Sequence, residues 1–116
     1  MGMRVIVCGG RDFDDGVFVR NSLDAIHAST PIYAVIHGNA RGADKWAGNW
    51  AAARNVRCWP MPANWSRDGK RAGPLRNARM LGMGVDMVIA FPGGKGTLDM
   101  VTRARRAGVP VVEISP

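Results

Sequence analysis

The stretch Arg4-Val5-Ile6-Val7-Cys8-Gly9-Gly10-Arg11-Asp12-Phe13 decides the fold. It joins a continuous apolar run to a pair of glycines, and a segment with helical spacing of apolar residues follows at about 15–28. A strand that is apolar on both faces is typical of a parallel sheet covered by helices on two sides. The stretch therefore predicts the beginning of an α/β protein.

The same alternation continues through the rest of the chain. Strands are predicted at 4–8, 32–36, 56–59, 87–91 and 109–114, and helices at about 15–28, 41–54, 74–82 and 96–107. This order predicts a Rossmann-like three-layer α/β/α sandwich with a five-stranded parallel sheet. At 116 residues, the chain has the length of one domain, which we place at 1–116.

Composition excludes several classes of protein. Hydrophobic residues make up 47% and charged residues 22%, which is unlike a disordered chain. No apolar run approaches the roughly 20 residues that cross a bilayer, and the N-terminal apolar stretch is too short for a signal peptide. We expect a cytoplasmic protein without a membrane partner.

Cys8 and Cys58 form no CxxC motif, so neither a disulfide scaffold nor a metal cofactor is expected.

Positive charge is concentrated in one part of the sequence. Nine basic and two acidic residues lie between Arg41 and Arg79, which accounts for the whole net charge of +7. Such a basic stretch indicates an anionic partner, either a phosphorylated small molecule or a nucleic acid. The alternative is a solvated surface that only keeps the protein soluble.

Four unusual loops follow the predicted strands, at 8–13, 37–44, 62–68 and 92–97. In a parallel sheet, these loops leave the carboxyl ends of the strands and meet at one edge, where such folds bind ligands. The connections at the other edge are plain. This asymmetry predicts a ligand site at the carboxyl edge.

The loop Pro92-Gly93-Gly94-Lys95-Gly96-Thr97 carries the clearest chemistry. Its glycines allow positive φ angles and close approach of a ligand, and the helix that follows offers free N–H groups to an anion. Thr97 adds a hydroxyl donor and Lys95 a charge. The spacing matches neither a Walker loop nor GxGxxG. We predict a phosphate site, with Mg²⁺ as a possible companion of the phosphate; the alternative is a tight strand–helix turn.

The other loops supply further candidate binding residues, which are Gly9, Gly10, Arg11, Gly38, Asn39, Arg41, Gly42, Asp44, Trp65 and Arg76. Arg11 could clamp a phosphate, and Arg76 could share that anion. Asp44 is either an acid in the first turn of a helix, or it binds a sugar hydroxyl or orients Arg41. Trp65 is a stacking candidate, whereas Trp59 is expected to pack.

Four segments together resemble the YspA/cpYpsA-related branch of the SLOG superfamily. They are 3–13, 37–44, 73–77 and 91–97, and the resemblance covers essentially the whole chain. It implies a Rossmann-like fold that binds a nucleotide or a nucleotide-derived ligand. The superfamily includes LOG-type phosphoribohydrolases and the DNA-processing protein A family, and many of its branches are sensors. LOG-type relatives also suggest a homodimer.

The LOG-type signature is Pro-Gly-Gly-x-Gly-Thr-x-x-Glu together with Arg-Lys-x-x-Met. The glycine loop, Arg76 and Met80 match it, but Met100 stands at the glutamate position and Asn77 at the lysine position. Asp99 is one residue early, which on a helix is a rotation of about 100°. Arg76, Asp99 and Asp44 are the candidate catalytic residues that follow.

Three functions are thus compatible with the sequence. The first is a nucleotide-binding protein that uses the loop at 92–97. The second is a nucleoside 5′-monophosphate phosphoribohydrolase, and the third is a nucleic-acid-binding module that uses the basic region 41–79. Whether the protein is an enzyme stays open.

Overall fold

The structure, a computed structural model, describes residues 2–116 and contains a sheet covered by helices. The strands are β1 (Met3–Cys8), β2 (Ile32–His37), β3 (Arg57–Pro60), β4 (Met87–Ala90) and β5 (Val111–Glu113). The helices are α1 (Gly16–Ser29), α2 (Ala43–Ala53), α3 (Trp65–Asp68), α4 (Ala72–Leu81) and α5 (Lys95–Arg106), with a 3-10 turn at Gly69–Arg71. None of the helices described is long and apolar enough to cross a membrane.

All five strands run parallel, in the order β3-β2-β1-β4-β5. The chain adds β2 and β3 on one side of β1, and then crosses to place β4 and β5 on the other side of β1. The strand order therefore reverses beside β1, and a crevice opens there at the carboxyl ends of β1 and β4. The predicted five-stranded parallel sheet is confirmed.

Alternating side chains of β1 enter two separate cores. Val5 and Val7 pack with apolar residues of α1 and α2, whereas Ile6 and Cys8 pack with those of α4 and α5. Val5, Ile6 and Val7 are fully buried, which explains why this strand is apolar without interruption. Two cores on either side of one sheet make the Rossmann-like sandwich that the sequence predicts.

The third connection differs from the prediction. The segment predicted as a loop contains α3, because the side chain of Asn64 accepts a hydrogen bond from the Arg67 N–H at 3.0 Å and caps the helix. Helix α4 begins at Ala72 rather than at Pro74. Pro74 lies in the first helical turn, where its missing N–H would have no partner anyway.

The two tryptophans of α2 have different surroundings. Trp50 is buried, and its Nε1 donates to Asp24 at 2.8 Å. Trp46 is 37% exposed, and its ring lies against Gly16 at the start of α1.

Candidate functional site

The carboxyl ends of the strands surround a cavity of about 850 Å³ beside β1 and β4. The first, second and fourth loops contribute to its wall, as do α3 and α4. Of the candidate residues, those that line it are Gly9, Gly10, Arg11, Gly38, Asp44, Trp65, Arg76, Gly93, Gly94, Lys95, Gly96, Thr97 and Asp99. The convergence of distant glycine loops on one edge is therefore a property of the fold.

Backbone contacts join the loops at the base of this cavity. The Gly10 N–H donates to the carbonyl of Pro92 at 2.8 Å, and the Gly10 carbonyl accepts from the Ala43 N–H at 3.2 Å. A Cβ on Gly93 would lie 2.6 Å from the Gly10 nitrogen, and one on Gly42, whose φ is +80°, would meet the Gly10 carbonyl oxygen. Glycines are thus required here because three loops pack backbone against backbone.

Two other glycines of the fourth loop have free space around them. A Cβ placed on Gly94 or on Gly96 would meet no atom of residues 2–116 within 4 Å. None of Gly93, Gly94 and Gly96 uses the positive φ that a glycine permits, and Gly94 has φ −102°. Contacts within the chain therefore do not explain the missing side chains at Gly94 and Gly96.

The N-terminus of α5 begins between these two glycines. Gly94 is its N-cap residue, no side chain of the described part of the chain caps it, and its first turn contains no acidic residue. The first N–H groups of the helix and the positive end of its dipole therefore lack an internal partner from any side chain. Lys95 adds an exposed positive charge at the same point.

Arg76 fixes a second positive charge in the cavity wall. Its Nη1 donates to the Gly38 carbonyl at 2.6 Å and its Nε to Asn77 at 3.0 Å. Burial lowers the pKa of this guanidinium, and the neighbouring Asp44 acts against that shift. Within residues 2–116, no carboxylate forms an ion pair with Arg76, so the guanidinium keeps its charge for another anion.

Asp44 is nearly buried at 6% exposure and holds the second loop in place. Its Oδ2 accepts from the N–H groups of Gly38, at 2.9 Å, and Ala40, at 3.4 Å. Burial raises the pKa of Asp44 to about 6, against these hydrogen bonds and the charge of Arg76. The prediction that Asp44 orients Arg41 is wrong, because Arg41 reaches Asp12 at 3.3 Å instead.

Asp99 and Asn77 connect α5 to α4. Asp99 Oδ2 accepts from Asn77 Nδ2 at 3.0 Å and from Arg103 Nε at 2.9 Å. Asn77 also donates to the Gly96 carbonyl at 3.3 Å. Met100 is fully buried in the core between the sheet and α4–α5, so the glutamate position of the LOG-type signature faces the core here. The sequence does not predict Asn77 as a site residue, although Asn77 stands at the lysine position of the Arg-Lys-x-x-Met motif.

Arg11 and Trp65 close the mouth of the cavity. The Arg11 guanidinium lies over the Trp65 ring, 5.6 Å from its centroid, and Trp65 is 50% exposed. The six-membered ring of the Trp65 indole lies close to Gly73. A Cβ built on Gly73 would be 3.4 Å from Cη2 of Trp65. A flat, exposed aromatic ring thus lies at the rim beside an exposed cation.

Three candidate residues do not line the cavity, namely Asn39, Arg41 and Gly42. Asn39 is exposed and donates its N–H to Nδ1 of His37 at 2.9 Å. Burial lowers the pKa of His37, with Arg76 acting in the same direction, so the imidazole is a neutral structural acceptor.

The basic region 41–79 does not form a single surface. Arg54 pairs with Asp24 of α1 at 2.8 Å, whereas Arg67 pairs with Asp68 in α3. Arg57 belongs to the edge strand β3. The charge excess is therefore distributed over both faces of the sheet.

A five-stranded parallel sheet covered by helices on both faces defines a Rossmann-like fold, and here a glycine-lined cavity lies at its switch point. The sequence profile of the YspA, cpYpsA-related SLOG family matches residues 3–67. The chain is also 39% identical to the Gene 61 protein of Mycobacterium phage D29, over 94% of each chain. This protein therefore belongs to the YspA, cpYpsA-related SLOG family, and membership indicates a function related to nucleotides.

Proposed function

We propose that this protein binds a nucleotide, or a ligand derived from one, with its phosphate at the N-terminus of α5. The observation that carries this proposal is that the uncapped start of α5, flanked by Gly94 and Gly96 with open space around both, borders the cavity. A phosphate there would accept hydrogen bonds from the first N–H groups of α5, which lack a side-chain cap. The cavity, at about 850 Å³, lies within the usual range for small-ligand sites.

Residues of the cavity wall could contact each part of such a ligand, namely the phosphate, the sugar and the base. Arg76 supplies a charge without a carboxylate partner among the described residues, and Lys95 and Thr97 add donors to the phosphate. Both backbone hydrogen bonds of Asp44 use Oδ2, so Oδ1 is the atom that would accept from a sugar hydroxyl. Trp65 would stack on the base.

Thermal unfolding with a panel of nucleoside mono-, di- and triphosphates tests this function. A ligand at 100 times its Kd should stabilise the fold by about 2.7 kcal/mol. The corresponding nucleosides are the matched controls, since they lack only the phosphate. A panel in which no nucleotide raises the Tm would contradict the proposal.

A second candidate is cleavage of the N-glycosidic bond of a nucleoside 5′-monophosphate. Two carboxyl groups, those of Asp44 and Asp99, line the same cavity. A carboxylate can stabilise the oxocarbenium-like sugar, and an acid whose pKa is about 6 can give a proton to the leaving base. Incubation with nucleoside monophosphates should release free base, and both Asp44→Asn and Asp99→Asn should reduce the rate. Release that neither substitution alters would contradict these roles.

A further inference from the structure

A stack of planar side chains begins at the amino-terminal ends of β1, β2 and β3, the ends away from the cavity, and extends along β3 to a residue in register with Ile36. It consists of Arg4, Tyr33, Arg57 and Trp59, which we call the amino-edge array. The Arg4 guanidinium lies 5.5 Å from the centroid of Trp59, and that of Arg57 lies 4.7 Å from the centroid of Tyr33. The two aromatic rings meet edge to face at 6.4 Å. The four groups thus form one continuous surface.

The array lies where the sheet has little helical cover. Arg4 is in register with Ala34, and Ala34 with Arg57, so the two arginines flank the same point of β2. Helix α2 packs on β2 and β3 from the other face, whereas α5 packs on β4 and β5. Tyr33 and Arg57 are exposed, so the outer part of the array is open to a partner.

The charge of the array is not neutralised by side chains. Within residues 2–116, neither Arg4 nor Arg57 forms an ion pair. Arg4 Nη1 donates to the Met83 carbonyl at 2.9 Å. Asp86 accepts from the backbone N–H of Arg4, also at 2.9 Å, and not from its guanidinium. Two guanidinium groups are therefore available to an anion beside two aromatic rings.

We propose that the amino-edge array is a binding surface for single-stranded nucleic acid. Unstacked bases can lie on aromatic rings and on guanidinium planes, while arginine donors bind the phosphates between them. A second copy of the same face would bring like charges together, which disfavours self-association through it. An acidic peptide would match the charge but would not use the stacked rings. The experiment must therefore distinguish binding of an acidic peptide from binding of a nucleic acid.

Fluorescence anisotropy with a labelled oligothymidylate measures this binding. Arg57→Gln and Tyr33→Leu should each weaken binding roughly fivefold or more, the loss expected for one stacked base. Arg20→Gln, which removes an exposed arginine on α1, is the matched control and should change nothing. Two phosphate contacts predict a slope of log affinity against log salt of about −1.4.

A second pair of measurements keeps this proposal separate from the nucleotide site. Saturation with a nucleotide, or Gly94→Val, should leave the affinity for the oligothymidylate unchanged, since the residues that line the cavity include none of the amino-edge array. The proposal is overturned if the protein does not bind the strand, or if Arg20→Gln weakens binding as much as Arg57→Gln does. Equal affinity for an abasic strand of the same charge would also overturn it and would point to an acidic polymer instead.

Discussion

The base and the tip of the fourth loop are both rich in glycine, but for different physical reasons. At the base, Gly93 packs against Gly10 so closely that a Cβ would overlap the neighbouring backbone. At the tip, Gly94 and Gly96 have no atom within 4 Å of where a Cβ would stand. The base holds the loops together, whereas the tip exposes the first N–H groups of α5. Glycines that are alike in a sequence can thus serve stability at one position and ligand access at the next.

The largest effect is expected where the second loop packs against the first at the base of the cavity. Gly42→Ala introduces both a clash with the Gly10 carbonyl and an unfavourable positive φ, and we expect it to destabilise the fold by roughly 2–5 kcal/mol. Urea denaturation measures this. Gly69→Ala is the control, because Gly69 also has a positive φ, of 58°, but nothing near its Cβ position. If Gly42→Ala costs no more than Gly69→Ala, the loops do not pack as described.

A side chain at the open tip should spare the fold and block the ligand. We expect Gly94→Val to change stability by at most about 1 kcal/mol. Nucleotide affinity should fall on the order of 100-fold, about 2.8 kcal/mol, because the side chain would occupy the phosphate position. Parallel urea denaturation and nucleotide titration give both numbers. If Gly94→Val unfolds the protein, the tip of the fourth loop is packed as tightly as its base, which contradicts the difference described above.

Asp44, which holds the second loop at the base of the cavity, should make stability depend on pH. Its pKa is raised by burial from 3.8 to about 6, so folding is favoured when it is protonated. This contribution is complete below pH 3.8 and is lost as the pH rises through about 6, with a size of about 3 kcal/mol. Asp44→Asn should therefore unfold at a higher Tm than the wild type at pH 7, where the wild-type carboxyl is ionised. The difference between the two proteins should shrink toward pH 4, and a constant difference across that range would contradict a buried Asp44.

The smallest effect concerns the second open glycine. Gly96 is the second residue of α5, so Gly96→Ala should stabilise the protein by about 0.5–1 kcal/mol through helix propensity. The same methyl group should weaken nucleotide binding, because it projects into the space that the phosphate would use. Thermal unfolding with and without nucleotide separates the two changes. A variant that is more stable and binds equally well would place the phosphate elsewhere.

The sequence predicts the sheet and the meeting of the loops because both follow from periodicity and from parallel connectivity. Val5 to Val7 are apolar on both faces, and that pattern already implies two covering layers. It does not predict α3, which depends on a single side-chain cap from Asn64. Nor does it predict the link from Asn77 to Asp99 or the burial of Met100, since these depend on how α4 and α5 are rotated against each other.

Calorimetric titration of the wild type with a nucleoside 5′-monophosphate and with its parent nucleoside tests the central claim most directly. If the phosphate binds at the start of α5, the nucleotide should bind more tightly than the nucleoside, and Gly94→Val should remove most of that advantage. Equal affinity for the two compounds, or an advantage that survives Gly94→Val unchanged, would contradict the account.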